Sequence, residues 1–179
     1  MPDYRRIRVP GGTYFFTVNL LNRSSVLLTA EIELLRTVVR RVRAATPFHI
    51  DAWVVLPDHM HCVWTLPEGD ADYSSRWRAI KKGFSWAIAP TERRSEVRQD
   101  RNERAIWQRR FWEHTIRDQR DYAVHLDYVH FNPVKHGLVE TVAEWRFSSF
   151  HQAVARGVYP ADWGWKGELD GRWGERGTE

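Results

Sequence analysis

The sequence predicts an α+β fold of the ferredoxin-like, split βαββαβ type, with helices on one face of an antiparallel sheet and an added C-terminal helix. Segments rich in β-branched and aromatic residues alternate with segments of helical periodicity in the order strand, helix, strand, strand, helix, strand, helix. Glycines and prolines separate these segments. At 179 residues and 42% hydrophobic content, the chain is long enough to bury one core.

The first half of the chain supplies three of the four strands and one helix. TYFFTVNL predicts a strand over residues 13–20. Thr29 is expected to cap a helix in which leucine and valine recur at helical spacing while arginines line another face. FHIDAWVVL, residues 48–56, predicts a strand that the turn Pro57-Asp58 joins to the next one as a hairpin.

A second helix and a charged segment follow. The helix is expected to end at Pro90 and to bury a stripe made of Trp77, Ile80, Phe84 and Ile88. Residues 90–104 mix arginines with acids and contain one lone aliphatic residue, which is typical of a mobile, solvated linker.

The last strand is expected over Phe111–Ile116, and the added helix near Asp118, with its end or a kink at Asn132-Pro133. Residues 1–160 would therefore form a single catalytic domain. Residues 161–179, rich in tryptophan and glycine, would form an irregular tail.

Composition limits the class of protein. One cysteine, Cys62, excludes an internal disulfide, and no apolar stretch approaches the length of a membrane span, so we expect a soluble cytoplasmic protein. The net charge of +4 and the abundant aromatic residues are compatible with a nucleic-acid-binding surface, although most aromatic residues should lie in the core.

His59 and His61 are two residues apart within an otherwise apolar strand, with Met60 between them. Side chains at i and i+2 of a strand point to the same face, so the two imidazoles should converge and supply half of a metal site. Two hydrogen-bonded core histidines would produce the same pattern, so the motif alone leaves both interpretations open.

The added helix carries Tyr128 and Asn132 at i and i+4, on one helical face. If this helix lies across the sheet face that bears the histidines, two imidazoles and one amide oxygen can hold a divalent cation beside a phenol. A tyrosine can act as a nucleophile when its electrophile is polarised. The alternative for Tyr128 is a half-buried aromatic residue on an amphipathic helix.

Several blocks of the chain resemble, in order and spacing, the REP-associated tyrosine transposases. They are GGTYFFTVNL, WVVLPDHMHCVWTLPEGD, SSRWRAIKKGF, RFWEHTIRDQRDY and DYVHFNPVKHGL, and the resemblance runs from about Tyr4 to Tyr159. It implies an HUH endonuclease in which His59 and His61 bind Mg²⁺ or Mn²⁺ and Tyr128 is the nucleophile. Asn132 stands where the wider group commonly has glutamine, so its role as the third metal ligand is the least supported of these assignments.

The resemblance also implies a reaction and a substrate. Tyr128 would attack single-stranded DNA to give a 5′-phosphotyrosyl enzyme and a free 3′-hydroxyl, and the substrates would be REP hairpins. The wider insertion-sequence relatives are dimers, and the sequence leaves a monomer or a homodimer open.

Two basic clusters are expected to contact DNA phosphates. One lies ahead of the first strand and the other on the second helix; they comprise Arg5, Arg6, Arg8, Arg76, Arg78, Lys81 and Lys82. Glu113 is a candidate for a group that orients a metal ligand. The spacing of His114, His125, His130 and His136 gives no reason to make any of them a ligand.

Two rival functions share this fold. A ferredoxin-like sheet with a basic surface can bind a DNA hairpin or RNA without catalysis, although the aromatic motif typical of RNA-binding sheets is missing from this sequence. A metal-dependent nuclease that uses water would need the two histidines but not Tyr128.

Overall fold

The structure is a computed structural model that describes residues 7–90, 92, 95–100 and 104–165, but not the side chains of residues 98 and 100. The strands are β1 (Thr13–Asn19), β2 (His49–Val55), β3 (His59–Thr65) and β4 (Trp112–Thr115). The helices are α1 (Leu27–Ala30), α2 (Ile32–Ala45), α3 (Tyr73–Ala87), α4 (Glu96–Asp100), α5 (Gln119–Lys135) and α6 (Phe150–Ala155), and a 3₁₀ turn covers Val142–Glu144.

The four strands form one antiparallel sheet in the order β2-β3-β1-β4. This order and the element sequence confirm the predicted split βαββαβ fold. In the register of β1 and β3, Asn19 is opposite His59 and Thr17 is opposite His61. The histidine strand therefore lies in the interior of the sheet, with a neighbour on each side.

One sheet face packs against α2 and α3. Alternate strand residues, including Phe16, Met60 and Cys62, join the apolar stripes of these helices in the larger core cluster. A Cβ atom built on Gly83 of α3 would lie 2.9 Å from a methyl carbon of Val38 on α2. The two helices therefore approach more closely at Gly83 than a side chain would permit.

The opposite face packs against α5. Phe15, Val54 and Val63 meet Val129 and the partly buried Tyr128 there. The added helix thus crosses the face that carries His59 and His61, which is the condition on which the predicted site depends.

Two predicted helix boundaries differ from the observed ones. Thr29 lies inside α1, where its hydroxyl donates to Val26 O, and α2 begins after Glu31 instead. Helix α5 continues through Pro133 to Lys135. Proline has no N–H to donate, but this position is in the last turn, so the helix continues for only two residues beyond it. Gly137, with φ +67°, then ends the helix by an αL turn in which Leu138 N donates to Pro133 O (3.0 Å).

The segment predicted as a linker contains the short helix α4, and Arg104 at its end forms an ion pair with Glu92 and donates to Ser85 O (2.6 Å). Trp163 packs on the C-terminal cluster around Phe150, whereas residues 166–179 of the predicted tail are outside the described residues. None of the helices in the described ranges is long and apolar enough to cross a membrane.

Candidate active site

His59 and His61 are both buried and point to the same side of β3. Their ring centroids are 5.0 Å apart, and the ring planes are nearly perpendicular, at 86°. Each ring is oriented through its Nδ1: that of His59 is 2.7 Å from Asp58 Oδ1, and that of His61 is 2.9 Å from Thr17 Oγ1. Since a carboxylate only accepts, His59 Nδ1 donates to it, and the lone pair is on Nε2.

Burial keeps both histidines neutral. It lowers the pKa of His59 below its usual value despite the opposing effect of the hydrogen bond that His59 donates to Asp58. It lowers the pKa of His61 further, and the neighbouring His59 adds to that shift. Neutral imidazole is the form that binds a metal, so these histidines are in the ligand form at neutral pH.

Tyr128 lies beside this pair. Its ring centroid is 5.3 Å from that of His61, in an edge-to-face arrangement, and 5.6 Å from that of Phe15. Lys135, two helical turns further along α5, places its Nζ 3.5 Å from Tyr128 Oη and 4.8 Å from the centre of the ring. The phenol is thus flanked by an imidazole and by an ammonium group.

Asn132 is one turn after Tyr128 and fully buried. Both polar atoms of its amide, and Nε2 of His61, are buried without a hydrogen-bond partner. Buried polar atoms are seldom left unpaired in folded proteins, so such atoms are expected to bind something. Imidazole nitrogens together with an amide oxygen are a donor set that fits a divalent metal ion.

His136 joins the site although it was not predicted as a ligand. Ligand atoms of His59, His61 and His136 lie within 4.8 Å of one another, and the rings of His59 and His136 are 5.0 Å apart. Helical periodicity explains the positions of both residues: His136 is four residues after Asn132, and Lys135 is seven residues after Tyr128. That periodicity was the available signal, and the predicted helix end at Pro133 hid it.

One of the predicted phosphate contacts does not hold. Arg76 is only 4% exposed, and its guanidinium forms an ion pair with Asp70 (2.6 Å). Three further N–H groups donate to the backbone carbonyls of Thr46, Pro47 and Asp72. The side chain fastens α3 to the loops around it, because its donors are already occupied inside the protein.

The other basic residues are placed differently. Arg78 and Lys82 are exposed on α3, whereas Lys81 is half-buried and donates to Gln108 O (3.0 Å). Arg8 is exposed and precedes Thr13, which pairs with Thr65 at the end of β3 remote from His59. Thr65 is six residues further along the strand than His59, a distance of about 20 Å. Arg5 and Arg6 lie outside the described residues.

Glu113 does not fit the role considered for it. It is opposite Phe16 on β1, and its carboxylate accepts a hydrogen bond from Tyr73 of α3. His59 and His61 lie on the other face of the sheet. Because neighbouring strand residues alternate faces, His114 and not Glu113 faces α5.

No protein-family model matches the chain. A REP-associated tyrosine transposase of Escherichia coli K12 is 55% identical over 163 residues, which are 91% of each chain. A Haemophilus influenzae protein assigned to the same group is 45% identical over 171 residues, or 94% of this chain and 97% of the relative. The solved structure of a REP-associated tyrosine transposase bound to a REP hairpin superposes with a TM-score of 0.81 at 51% identity, and the match covers both chains completely.

Proposed function

Since the chain belongs to the REP-associated tyrosine transposases, we propose that it cleaves and rejoins single-stranded DNA at REP-type hairpins by using Tyr128 as the nucleophile. The observation that carries the proposal is the position of the Tyr128 phenol on α5, against His61 and within reach of Lys135. The REP hairpin bound to a relative that is 51% identical supports hairpin DNA as the partner.

The chemical step is a transesterification. Oη of Tyr128 forms a bond to phosphorus while the bond from phosphorus to the 3′-oxygen breaks. The phenol loses its proton, the departing 3′-oxygen gains one, and the phosphate remains as a 5′-phosphotyrosine. The reverse attack by a 3′-hydroxyl restores the phenol and joins two strands, so no water and no external energy source is needed.

Lys135 is suited to assist this exchange. Oη carries negative charge once its proton has left, and this charge moves onto the phosphate oxygens as the new bond forms. An ammonium group 3.5 Å from Oη stabilises that charge. The cation over the ring also restricts where the phenol can point. Both effects favour a phenol that is oriented before the DNA arrives.

A divalent ion would be held by His59 and His61, with Asn132 or His136 as the third ligand. When bound, it polarises the scissile phosphate and stabilises the leaving oxygen. We propose Mg²⁺ or Mn²⁺ as the working metal. The part of the chain that performs the step would then be the C-terminal half of α5 and the start of β3.

Phosphate contacts are expected at Arg8, Arg78 and Lys82, together with Arg5 and Arg6. Helix α3 packs on the sheet face opposite α5, so DNA that touches Arg78 and the phenol must pass around an edge of the sheet. A folded hairpin stem on one side with its single-stranded flank on the other would satisfy this geometry. Such contacts give affinity without base selectivity.

Adduct trapping tests the proposal. Labelled hairpin DNA with a single-stranded flank is incubated with the protein and Mn²⁺ or Mg²⁺, and the covalent product is separated under denaturing conditions. We expect an adduct with the native chain and none with Tyr128→Phe, which should still fold and bind the hairpin. Tyr122→Phe on the same helix is the matched control, because the Tyr122 hydroxyl donates to Asp51 (2.8 Å) and should not take part.

Other outcomes identify the rival functions. Cleavage by Tyr128→Phe at the native position would indicate a nuclease that uses water. Tight hairpin binding without cleavage under any metal condition would indicate a binding module. Either result contradicts the tyrosine mechanism.

A further inference from the structure

A second group of metal-binding side chains lies at the other end of the tyrosine helix. It consists of His114 on β4 and of Asp121 and His125 on α5, and their ligand atoms lie within 4.8 Å of one another. Five of the eight histidines of the chain belong to this group or to the group around His61. The second group, called the distal cluster below, has no part in the chemistry proposed above.

The distal cluster is separated from the candidate active site. Tyr128 follows Asp121 by seven residues of helix, which is about 10 Å along the helix axis. The ring of Phe15 lies between the two sites, 4.9 Å from His125 and 5.6 Å from Tyr128. A single ion therefore cannot be bound by both groups.

Hydrogen bonds and ring stacking already hold the three side chains against one another. Asp121 Oδ2 is 2.8 Å from His114 Nε2 and accepts from the backbone N–H of Arg117 (3.0 Å). His125 Nδ1 is 3.0 Å from Asp121 Oδ1 and donates to the backbone carbonyl of Asp121 (2.8 Å), so the lone pair of His125 is on Nε2. The backbone N–H on the carboxylate and the rings packed around the imidazoles resemble the outer contacts that hold metal ligands in place.

The protonation states suit a cation. Burial works to raise the pKa of Asp121, but the hydrogen bonds from His114 and Arg117 outweigh it and hold the pKa below its usual value. Burial lowers the pKa of His125. At neutral pH the cluster therefore presents a carboxylate and at least one neutral imidazole, which are ligand forms.

The cluster also has room for further ligands. A cavity of about 310 Å³ is lined by His114 and Asp121, and also by Arg117 and Arg120. The cavity borders two of the three side chains, His114 and Asp121, so an ion held by them could complete its coordination with water or an anion.

We propose that His114, Asp121 and His125 form a second divalent-cation site, which fastens β4 to the first turns of the tyrosine helix. Two imidazoles and one carboxylate suit a borderline metal of the first transition row, such as Zn²⁺, Co²⁺ or Ni²⁺, better than Mg²⁺, which prefers oxygen ligands. The site holds the start of α5, and so supports the placement of Tyr128 without touching the DNA.

Counting bound ions in the full-length chain tests the site. Co²⁺ serves as the probe, and its stoichiometry is measured by equilibrium dialysis with metal analysis on protein first stripped by a chelator. We expect two ions per native chain and one ion in His125→Gln and in His61→Ala. The double variant should bind none. His151→Gln is the matched control and should keep both, because His151 is exposed and belongs to neither group.

His114→Gln provides an independent variant should His125→Gln fail to fold, which circular dichroism of the stripped protein would reveal. A native stoichiometry of one ion, lost in His61→Ala and unchanged in His114→Gln, would overturn the proposal and leave a hydrogen-bonded clamp. Adduct formation by Tyr128 is measured separately, so a failure here does not affect the proposed function. If the native chain formed no adduct but bound two ions, the proposed function would be contradicted and the second cation site would stand.

Discussion

Replacing Arg76 by methionine should destabilise the fold, because Arg76 has a structural role. The pattern of charges on its helix had instead suggested a contact with DNA phosphate. The side chain is only 4% exposed and pairs with Asp70 at 2.6 Å, while three backbone carbonyls accept three further N–H groups. Methionine is of similar length and fills the space, so the change removes the charge and the donors but leaves little cavity.

The expected loss follows from these contacts. Removing one partner of a buried ion pair costs about 3–5 kcal/mol. The side chain of Asp70 is 32% exposed, so water can solvate its carboxylate again, and the lower end of that range applies. The free energy of unfolding should therefore fall by about 3 kcal/mol, with the three carbonyl oxygens accounting for part of it.

Urea denaturation measures this loss. With a slope of about 2–3 kcal/mol per molar, the midpoint should fall by about 1 M or more at an unchanged slope. Arg78→Met is the matched control: Arg78 is exposed on the same helix, so its midpoint should move by less than about 0.5 kcal/mol in equivalent free energy. If Arg76→Met kept the native midpoint but lost affinity for hairpin DNA, the structural role of Arg76 would be refuted.

Further predictions concern DNA and metal. The logarithm of the hairpin affinity should fall linearly with the logarithm of the salt concentration. The double change Arg78→Ala with Lys82→Ala should reduce that slope by about 2 and weaken binding to all DNA sequences alike. An unchanged slope would show that neither residue contacts DNA. Lys135→Met should reduce the rate of adduct formation but not the hairpin affinity, and equal rates in a single-turnover assay would contradict its role. Asn132→Ala and His136→Ala should differ in a Mn²⁺ titration of cleavage: the variant that needs more metal has lost the third ligand, and unchanged curves for both would mean that neither is one.

Strand alternation made much of the fold and the site predictable. The i, i+2 spacing placed His59 and His61 on one face, and i, i+4 spacing placed Tyr128 and Asn132 together on the helix that crosses that face. These rules depend only on local geometry, so they hold wherever the element itself is correctly identified. The resemblance to the transposase family, confirmed by the relatives, supplied the chemistry that geometry could not.

The failures came from contacts that local patterns do not contain. Arg76 follows Tyr73 by three residues and precedes Ile80 by four, so it lies on the buried stripe of α3, but charge suggested an exposed position. The distal cluster joins His114 to residues on another element, a pairing that only the fold creates. His136 could be predicted as a ligand only if the helix continued past Pro133. Proline disfavours helical geometry in the residue before it, so the helix was expected to end there.

Identifying the residue that carries the DNA is the most direct test of nucleophilic attack by Tyr128. The trapped adduct is digested with nuclease and trypsin, and cleavage after Arg120 and Lys135 yields one peptide, DYAVHLDYVHFNPVK, which contains both Tyr122 and Tyr128. Fragmentation in a mass spectrometer then distinguishes the two tyrosines. We expect the nucleotide remnant on Tyr128, joined through its 5′-phosphate. A remnant on any other residue, or cleaved DNA that bears a free 5′-phosphate and no peptide, would contradict nucleophilic attack by Tyr128.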